Sequence, residues 1–264
     1  MLIQWIKVKA KKILPIDSVA YRVLRNVFYE YKSLVDFLSF KIKYPRAEWY
    51  KFFGRKDVGY SQFGQDQYLI KITDNKELSY VEIGANHPTR LSNTLLLEES
   101  GWSGISIDPL KKYEHEWANT RKGRFICMAV GAETGERDFI EFSGSEDWID
   151  MMSGFKEYVR QEDYLTFDFR SYKVKMDRLS TIVGDYEFDL LLVDTEGAEI
   201  EILKGVDFSI CKPRFILIEN AQKIGGGSEL RAILHSYGYE VVARIGGSDD
   251  LLKRVEVIDT KSVA

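Results

Sequence analysis

The sequence is poor in cysteine. Cys127 and Cys211 are the two it has, far apart and in apolar surroundings, with no C-x-x-C pair and no metal-ligand spacing. That excludes a disulfide scaffold and a zinc framework, and it fits reduced, buried thiols in a cytoplasmic protein. Long hydrophobic runs are also missing: no stretch approaches the ~20 apolar residues of a membrane span. Met1–Ile6 is apolar, but Lys7, Lys9, Lys11 and Lys12 come after it. A secretory leader has its charges first, so none is expected. A charge excess of one sign is lacking too. Against 41 acidic residues stand 37 basic ones, a net charge of −4 that argues against a nucleic-acid partner.

What is present is an ordinary globular balance, 45% hydrophobic and 30% charged over 264 residues, which excludes a disordered or collagen-like chain. The small net charge conceals a split. Residues 1–60 hold 13 basic and 5 acidic residues, a charge of +8, and the remainder carries −12. Apolar residues recur as Ile16, Val19, Ala20, Val23, Leu24, Val27, Phe28, Tyr31, Leu34, Val35, Leu38 and Ile42. That spacing predicts an amphipathic helix, capped by Asp17 or Ser18, ended by Pro45 and roughly 40 Å long. We assign 1–58 to a basic helical arm and 59–264 to a second domain.

From Tyr60 the pattern alternates. Short apolar runs predict strands at 80–83, 104–107, 125–130, 188–193 and 215–218. Helices are expected at 91–100, 111–121, 196–204 and 228–237, the last two ended by Gly205 and Gly238. Strands at 239–245 and 254–258 should close a hairpin across Gly246–Asp250. This order predicts a doubly wound, mostly parallel α/β sheet with a C-terminal antiparallel hairpin. Residues 139–175 are polar, aromatic and irregular, and are read as an insertion or lid.

In such a sheet ligands bind beyond the carboxyl ends of the strands. The first strand runs into Glu82-Ile83-Gly84-Ala85-Asn86-His87, and the second ends at Asp108, 24 residues after Gly84. An acid at that distance is placed to accept both hydroxyls of a ribose. The glycines of a G-x-G-x-x-G pyrophosphate cradle are absent: Asn86 and Thr89 stand at the second and third positions. Glu82 would repel a phosphate and suits an ammonium group, which S-adenosyl-L-methionine carries beside its sulfonium charge. The fourth strand ends in Asp194-Thr195-Glu196-Gly197-Ala198-Glu199, and the fifth in Glu219-Asn220. Carboxylates at apolar strand ends need partners. Glu199, by contrast, also suits the first turn of a helix, where the macrodipole favours an acid.

Several stretches together resemble the FkbM family of S-adenosylmethionine-dependent methyltransferases. They are Ser61-Gln62-Phe63-Gly64-Gln65-Asp66, Val81-Glu82-Ile83-Gly84-Ala85-Asn86, Ser92-Asn93-Thr94, Gly101-Trp102-Ser103-Gly104, Ile107-Asp108-Pro109, Asp194 to Glu199, and Leu203-Lys204-Gly205. The resemblance covers roughly residues 60–222. It implies a Rossmann-like class I methyltransferase sheet and methyl transfer to a hydroxyl of a sugar, glycan or related metabolite. Gln62, Gln65, Glu82, Gly84, Ala85, Asn86, Ser92, Asp108, Pro109, Ala129, Val130 and Asp194 are then the expected cofactor residues. Where the family turn is glycine-rich, this chain has His87-Pro88-Thr89-Arg90.

Removal of the hydroxyl proton has two candidate routes. A general base would be Glu196, Glu219 or His87. A Mg²⁺ ion on Asp194, Glu219 and Asn220 would lower the hydroxyl's pKa, in a placement similar to the metal set of catechol-type O-methyltransferases. Their lysine base has no counterpart, because Gly197 stands at that position. Asp147, Trp148, Met151 and Met152 are candidates for a substrate lid. Two other functions compete: a nicotinamide-dependent sugar-modifying enzyme, and a non-catalytic, membrane-associated assembly module. The arm's apolar stripe has two candidate partners. One is protein, its own domain or a second subunit of a homo-oligomer. The other is the inner face of an anionic membrane, met through residues 1–45 with Leu2, Ile3, Trp5 and Ile6 beside the lysines.

Overall fold

The structure is a computed structural model and describes residues 19–50, 59–74, 76–220 and 228–255. In chain order the strands are β1 (Glu48–Tyr50), β2 (Ser79–Ile83), β3 (Ser103–Ile107), β4 (Arg124–Ile126), β5 (Ala129–Val130), β6 (Gly135–Ser143), β7 (Gly154–Phe155), β8 (Asp168–Asp177), β9 (Leu190–Val193), β10 (Phe215–Glu219), β11 (Tyr239–Ile245) and β12 (Asp249–Arg254). The helices are α1 (Val19–Lys43), α2 (Gln65–Ile72), α3 (Leu95–Glu99), α4 (Glu114–Thr120), α5 (Gln161–Tyr164), α6 (Leu179–Val183), α7 (Glu199–Gly205) and α8 (Ser228–Ser236).

A mixed, mostly parallel sheet runs in the order β1-β11-β12-β10-β9-β2-β3-β4. The pairs β10–β9, β9–β2, β2–β3 and β3–β4 are parallel. Their apolar runs are continuous because both faces are covered. Val81, Ile83, Leu191, Val193, Ile216 and Ile218 enter one buried cluster, and Tyr80, Leu190, Leu192, Phe215 and Leu217 enter another. Alternate residues feed opposite faces, as the strand period of two requires. The chain winds outward from β2 through β3 to β4 and, in the other direction, from β9 to β10. The switch point therefore lies between β2 and β9, where a crevice opens.

Several sequence expectations need correction. The last strand begins at Asp249 rather than Arg254. It forms an antiparallel hairpin with β11 and lies between β11 and β10. Residues 256–258 of the expected strand fall outside the described residues. The expected strand 125–130 is two strands. After a break at Cys127–Met128, Ala129–Val130 leaves the main sheet and pairs with Met176–Asp177. Residues 139–175 are largely ordered structure. β6 and β8 pair antiparallel from Gly135↔Met176 to Ser143↔Asp168, and with β5 and β7 they make a four-stranded sheet. Its alternation is hidden in sequence because buried Ile140 and Phe142 flank a buried Glu141, while the outer residues of β8 are polar.

The amphipathic pattern of the arm does form α1, from Val19 onward; residues 1–18, with the proposed cap and the lysine cluster, lie outside the described residues. Its C-terminal end is fixed to the domain. Phe40 is buried, and Phe37 and Phe40 set their edges against Trp49 at 5.5 and 5.4 Å. Glu48–Tyr50, placed in the arm by sequence, pair with Ala243–Ile245 as a parallel edge strand of the main sheet. Among the described residues no helix is long and apolar enough to cross a membrane.

Candidate functional site

Three strand ends are laced together at the switch point. Gly84 N donates to the Ile107 carbonyl (2.9 Å) and Asp194 N to the Ile83 carbonyl (3.0 Å). Gly84 has φ +85°, and a Cβ there would sit 1.7 Å from the Asp194 carbonyl oxygen. Any side chain at this position would push β2 and β9 apart. Beyond it Asn86 takes a left-handed φ of 47°, held by its own N–H on Asp108 Oδ2 (2.8 Å) and by the Trp117 indole on its carbonyl (2.9 Å). A second left-handed turn follows β9, at Glu196 (φ 56°) and Gly197 (φ 114°). Glu199 Oε1 fastens it by accepting from Thr195 N, Thr195 Oγ1 and Gly197 N. Glu199 therefore serves the turn.

Two adjoining chambers open here. Gly84, Asn86, Met151, Asp194 and Glu196 form their common wall. The first chamber is apolar, with Leu110, Ala129, Val130, Phe139 and Phe155 around Asp108 and Pro109. Each Asp108 oxygen accepts one backbone N–H, from Asn86 and from Leu110 (both 2.8 Å). Each keeps a further lone pair. Burial, only partly offset by those bonds, pushes the Asp108 carboxyl up to about 6.

The second chamber is acidic. Glu82, Asp194, Glu196, Glu219 and Asp249 line it with Gln62, Phe63 and Gln65. Asp249 stands opposite Glu219 in the β10–β12 ladder, so two carboxylates share one rung. Burial and the Glu219 and Asp249 charges drive Asp194 well above the ordinary carboxylate range. Burial and the Glu199 charge raise Glu196 to about 7. Burial and the charges of Glu196 and Glu199 raise Glu219 to about 8, and burial also raises Asp249. Among the described residues on this wall the one basic side chain, Arg90, is turned to Asp150 (3.0 Å) and the Tyr113 hydroxyl (3.2 Å). Among the described residues the acidic chamber therefore has no balancing cation, and a bound positive charge would relieve it.

Most of the residues singled out from sequence meet on these walls. Gln65 holds Asp249 Oδ2 through Nε2 (2.6 Å) and takes the Phe63 N–H on Oε1; Gln62 is exposed at the rim. Glu82 Oε2 accepts from Thr94 Oγ1 (2.7 Å) and Ser106 Oγ (2.9 Å). Burial is the main cause of its raised pKa.

Three expectations are corrected. Ser92 lines neither chamber: its Oγ accepts from Thr94 N, Leu95 N and Arg121 Nη1, closing the turn into α3. His87 is likewise a turn former. Its Nδ1 accepts from Thr89 N and Arg90 N, its Nε2 faces Glu116 at 3.3 Å, and burial lowers its pKa. The Mg²⁺ set is not assembled: Asn220 Nδ2 donates to Asp250 and its backbone carbonyl accepts from Arg244, while its side-chain oxygen is buried without a partner. Among the described residues no three His, Cys, Asp or Glu side chains are grouped to hold a metal ion.

Sequence reasoning missed Asp249 and Asp150. Asp249 follows Gly246-Gly247-Ser248 and reads as a turn residue; only the pairing with Glu219 reveals it. Asp150 anchors the inserted segment over the site. It accepts from Arg90, Lys112 Nζ (2.8 Å) and Tyr113, and its carbonyl takes the Asn86 amide. Burial pushes its carboxyl up, yet the bonds from Lys112 and Tyr113 outweigh this and hold it below the ordinary range. No local spacing signals contacts this far apart in sequence.

A profile of the methyltransferase FkbM domain matches residues 82–241 of this chain. Methyltransferase sdnD of Sordaria araneosa is 31% identical over 104 residues, a stretch covering 33% of this chain and 40% of that protein. The chain therefore spans less than half the length of this curated relative. The profile takes in the end of β2 with its left-handed turn and the β9 and β10 strand ends that line the chambers, and the chain belongs to the FkbM family of methyltransferases.

Proposed function

We propose that the protein is an S-adenosyl-L-methionine-dependent O-methyltransferase with a Rossmann-like class I methyltransferase sheet, acting on a hydroxyl of a sugar, glycan or related metabolite. The observation that carries this is the pairing of the chambers across one wall. One is apolar around a carboxylate with spare lone pairs; the other is acidic and, among the described residues, short of a cation. The residues present fit the cofactor. Asp108 offers a bidentate acceptor for a ribose diol, with Leu110, Ala129, Val130, Phe139 and Phe155 around a flat base. Gly84 leaves the backbone clear, and Glu82 and Asp194 face the cationic end. When bound, S-adenosyl-L-methionine supplies a methyl group on a positively charged sulfur.

The chain's own part is positioning, charge and one proton. Glu196 lies on the wall common to both chambers, where the acceptor hydroxyl would meet the methyl donor. With a pKa near 7 it accepts the hydroxyl proton at neutral pH. Glu219 and Asp249 crowd Asp194 with carboxyl groups that give up their protons most readily beside a cation, so a positive charge is favoured there and a second anion is not. Asp150, clamped by Arg90 and Lys112, holds Met151 against both chambers and keeps water out.

Titration calorimetry with S-adenosylhomocysteine and with NAD tests the cofactor. Binding of the first and not the second is expected; the reverse overturns the reading. Methyl transfer from labelled S-adenosyl-L-methionine to a panel of glycans and free sugars tests the acceptor.

A further inference from the structure

Helix α1 turns an apolar face to solvent. Val23, Val27, Tyr31, Leu34, Leu38 and Ile42 are 57, 62, 51, 54, 49 and 83% exposed. At 100° per residue they share one arc about 100° wide. Around Phe37 and Phe40 the opposite side of the helix is taken, with Phe40 buried and both rings on Trp49. There the domain uses one face of α1 and the stripe stays exposed.

We propose that this stripe pairs with the same stripe of a second copy of the chain, as a two-fold antiparallel helix pair. Two features of the stripe point to a copy of itself. The first is spacing. Successive members are four, four, three, four and four residues apart, a series that reads the same from either end. An antiparallel pair centred between Lys32 and Ser33 sets Val23 against the partner's Ile42, Val27 against the partner's Leu38, and Tyr31 against the partner's Leu34. All six bulky side chains then meet a bulky side chain, as an isologous interface demands. The second is exposure. All six bulky residues are about half exposed or more, and a contiguous bare apolar stripe over about five turns of helix is the kind of surface that marks a protein interface.

Among the described side chains, the charges beside the stripe favour protein over an anionic membrane. Glu30 is exposed beside Tyr31. Lys41, on the same side, spends its ammonium group on the Pro45 and Ala47 carbonyls at 3.0 and 2.9 Å. A membrane-docking helix carries free basic residues at its apolar margin.

The full chain tests this by sedimentation equilibrium between 1 and 100 µM, with L34E/L38E beside it. Both substituted side chains are half-exposed, so folding is retained, which circular dichroism checks. A dimer that the double variant reduces to monomer at every concentration is expected. A wild-type monomer at 100 µM, or a dimer indifferent to L34E/L38E, overturns the proposal. Register is tested by mild oxidation. V23C/I42C should run as a covalent dimer on a non-reducing gel, whereas V23C alone should not, because the two introduced thiols would lie some 28 Å apart by helix rise. Equal cross-linking of V23C alone overturns the antiparallel arrangement. Flotation with phosphatidylserine vesicles, lost in L34E/L38E while the protein in solution stays monomeric, assigns the face to a membrane and overturns the proposal as well.

Discussion

Replacing Arg121 with methionine is the most informative single change outside the chambers. Its side chain is fully buried. Nε donates to Glu98 Oε2 (3.0 Å), Nη1 to the Pro88 carbonyl (2.7 Å) and Ser92 Oγ (3.2 Å), and Nη2 to Thr94 Oγ1 (2.9 Å) and Tyr80 OH (3.2 Å). The guanidinium carbon also lies 4.6 Å from the Trp117 ring centre. Methionine fills much of the aliphatic volume and donates nothing. Glu98 is then left as a buried carboxylate without its cation, and breaking a buried pair in this way costs ~3–5 kcal/mol. Against a total stability of about 5–15 kcal/mol that is a large fraction. At about 2–4 °C per kcal/mol for a domain of this size, R121M should melt about 6–20 °C lower. Urea unfolding and calorimetry measure it. Adding E98Q to R121M removes the orphaned charge and should recover part of the loss, so the two changes are strongly non-additive. The reasoning fails if R121M stays within about 1 kcal/mol of the parent, or if E98Q adds its full single-mutant loss on top. Thr94 also donates to Glu82, so R121M should weaken S-adenosylhomocysteine binding by more than destabilisation explains.

Other outcomes follow from the same geometry. Asp108→Ala removes a charged acceptor, and at about 1.5–3 kcal/mol for such a bond the affinity for S-adenosylhomocysteine should fall roughly 10- to 100-fold by calorimetry. The methyl-transfer rate should fall as pH drops through about 7, because a base must be deprotonated and Glu196 is held up to about 7. Glu196→Gln should lose at least ~100-fold in rate while still binding S-adenosylhomocysteine. Glu219 is raised to about 8 in the folded protein, above the ordinary ~4.3 it regains on unfolding. The folded state thus holds an extra proton between those values, and stability of the unliganded protein is lost as pH rises across that window. Thermal melts at pH 5.5 and 8.5 should show the decline, and Glu219→Gln should flatten it.

Much of the main sheet was legible because its signals are local. The run Tyr80–Ile83 is apolar at every position but Glu82, and that exception lies on the wall of the acidic chamber. Asp108 was legible for the same reason: an acid closing a strand, at ribose-binding distance from Gly84. The second sheet was not legible. Glu141 is buried within β6 but looks like a surface residue, since its neutralising partners Lys112 and Arg170 lie 29 residues away on either side. His87 and Ser92 looked chemical because they stand beside the left-handed turn at Asn86. The fold instead spends their lone pairs on backbone N–H groups of that same turn.

The alternation of strands and helices in the main sheet, the acidic strand ends and the amphipathic helix are properties of residue type and spacing, and the chain by itself determined them. Which carboxylates stay free, which are clamped, and which face of α1 remains bare depend on partners brought in from elsewhere. Glu219 meets Asp249 across a ladder rung, Asp150 meets Arg90 from an insertion, and Phe40 meets Trp49 at a sheet edge. A side chain carries its chemistry with it, but its hydrogen bonds, desolvation and neighbouring charges are set by packing, and only the tertiary structure decided those.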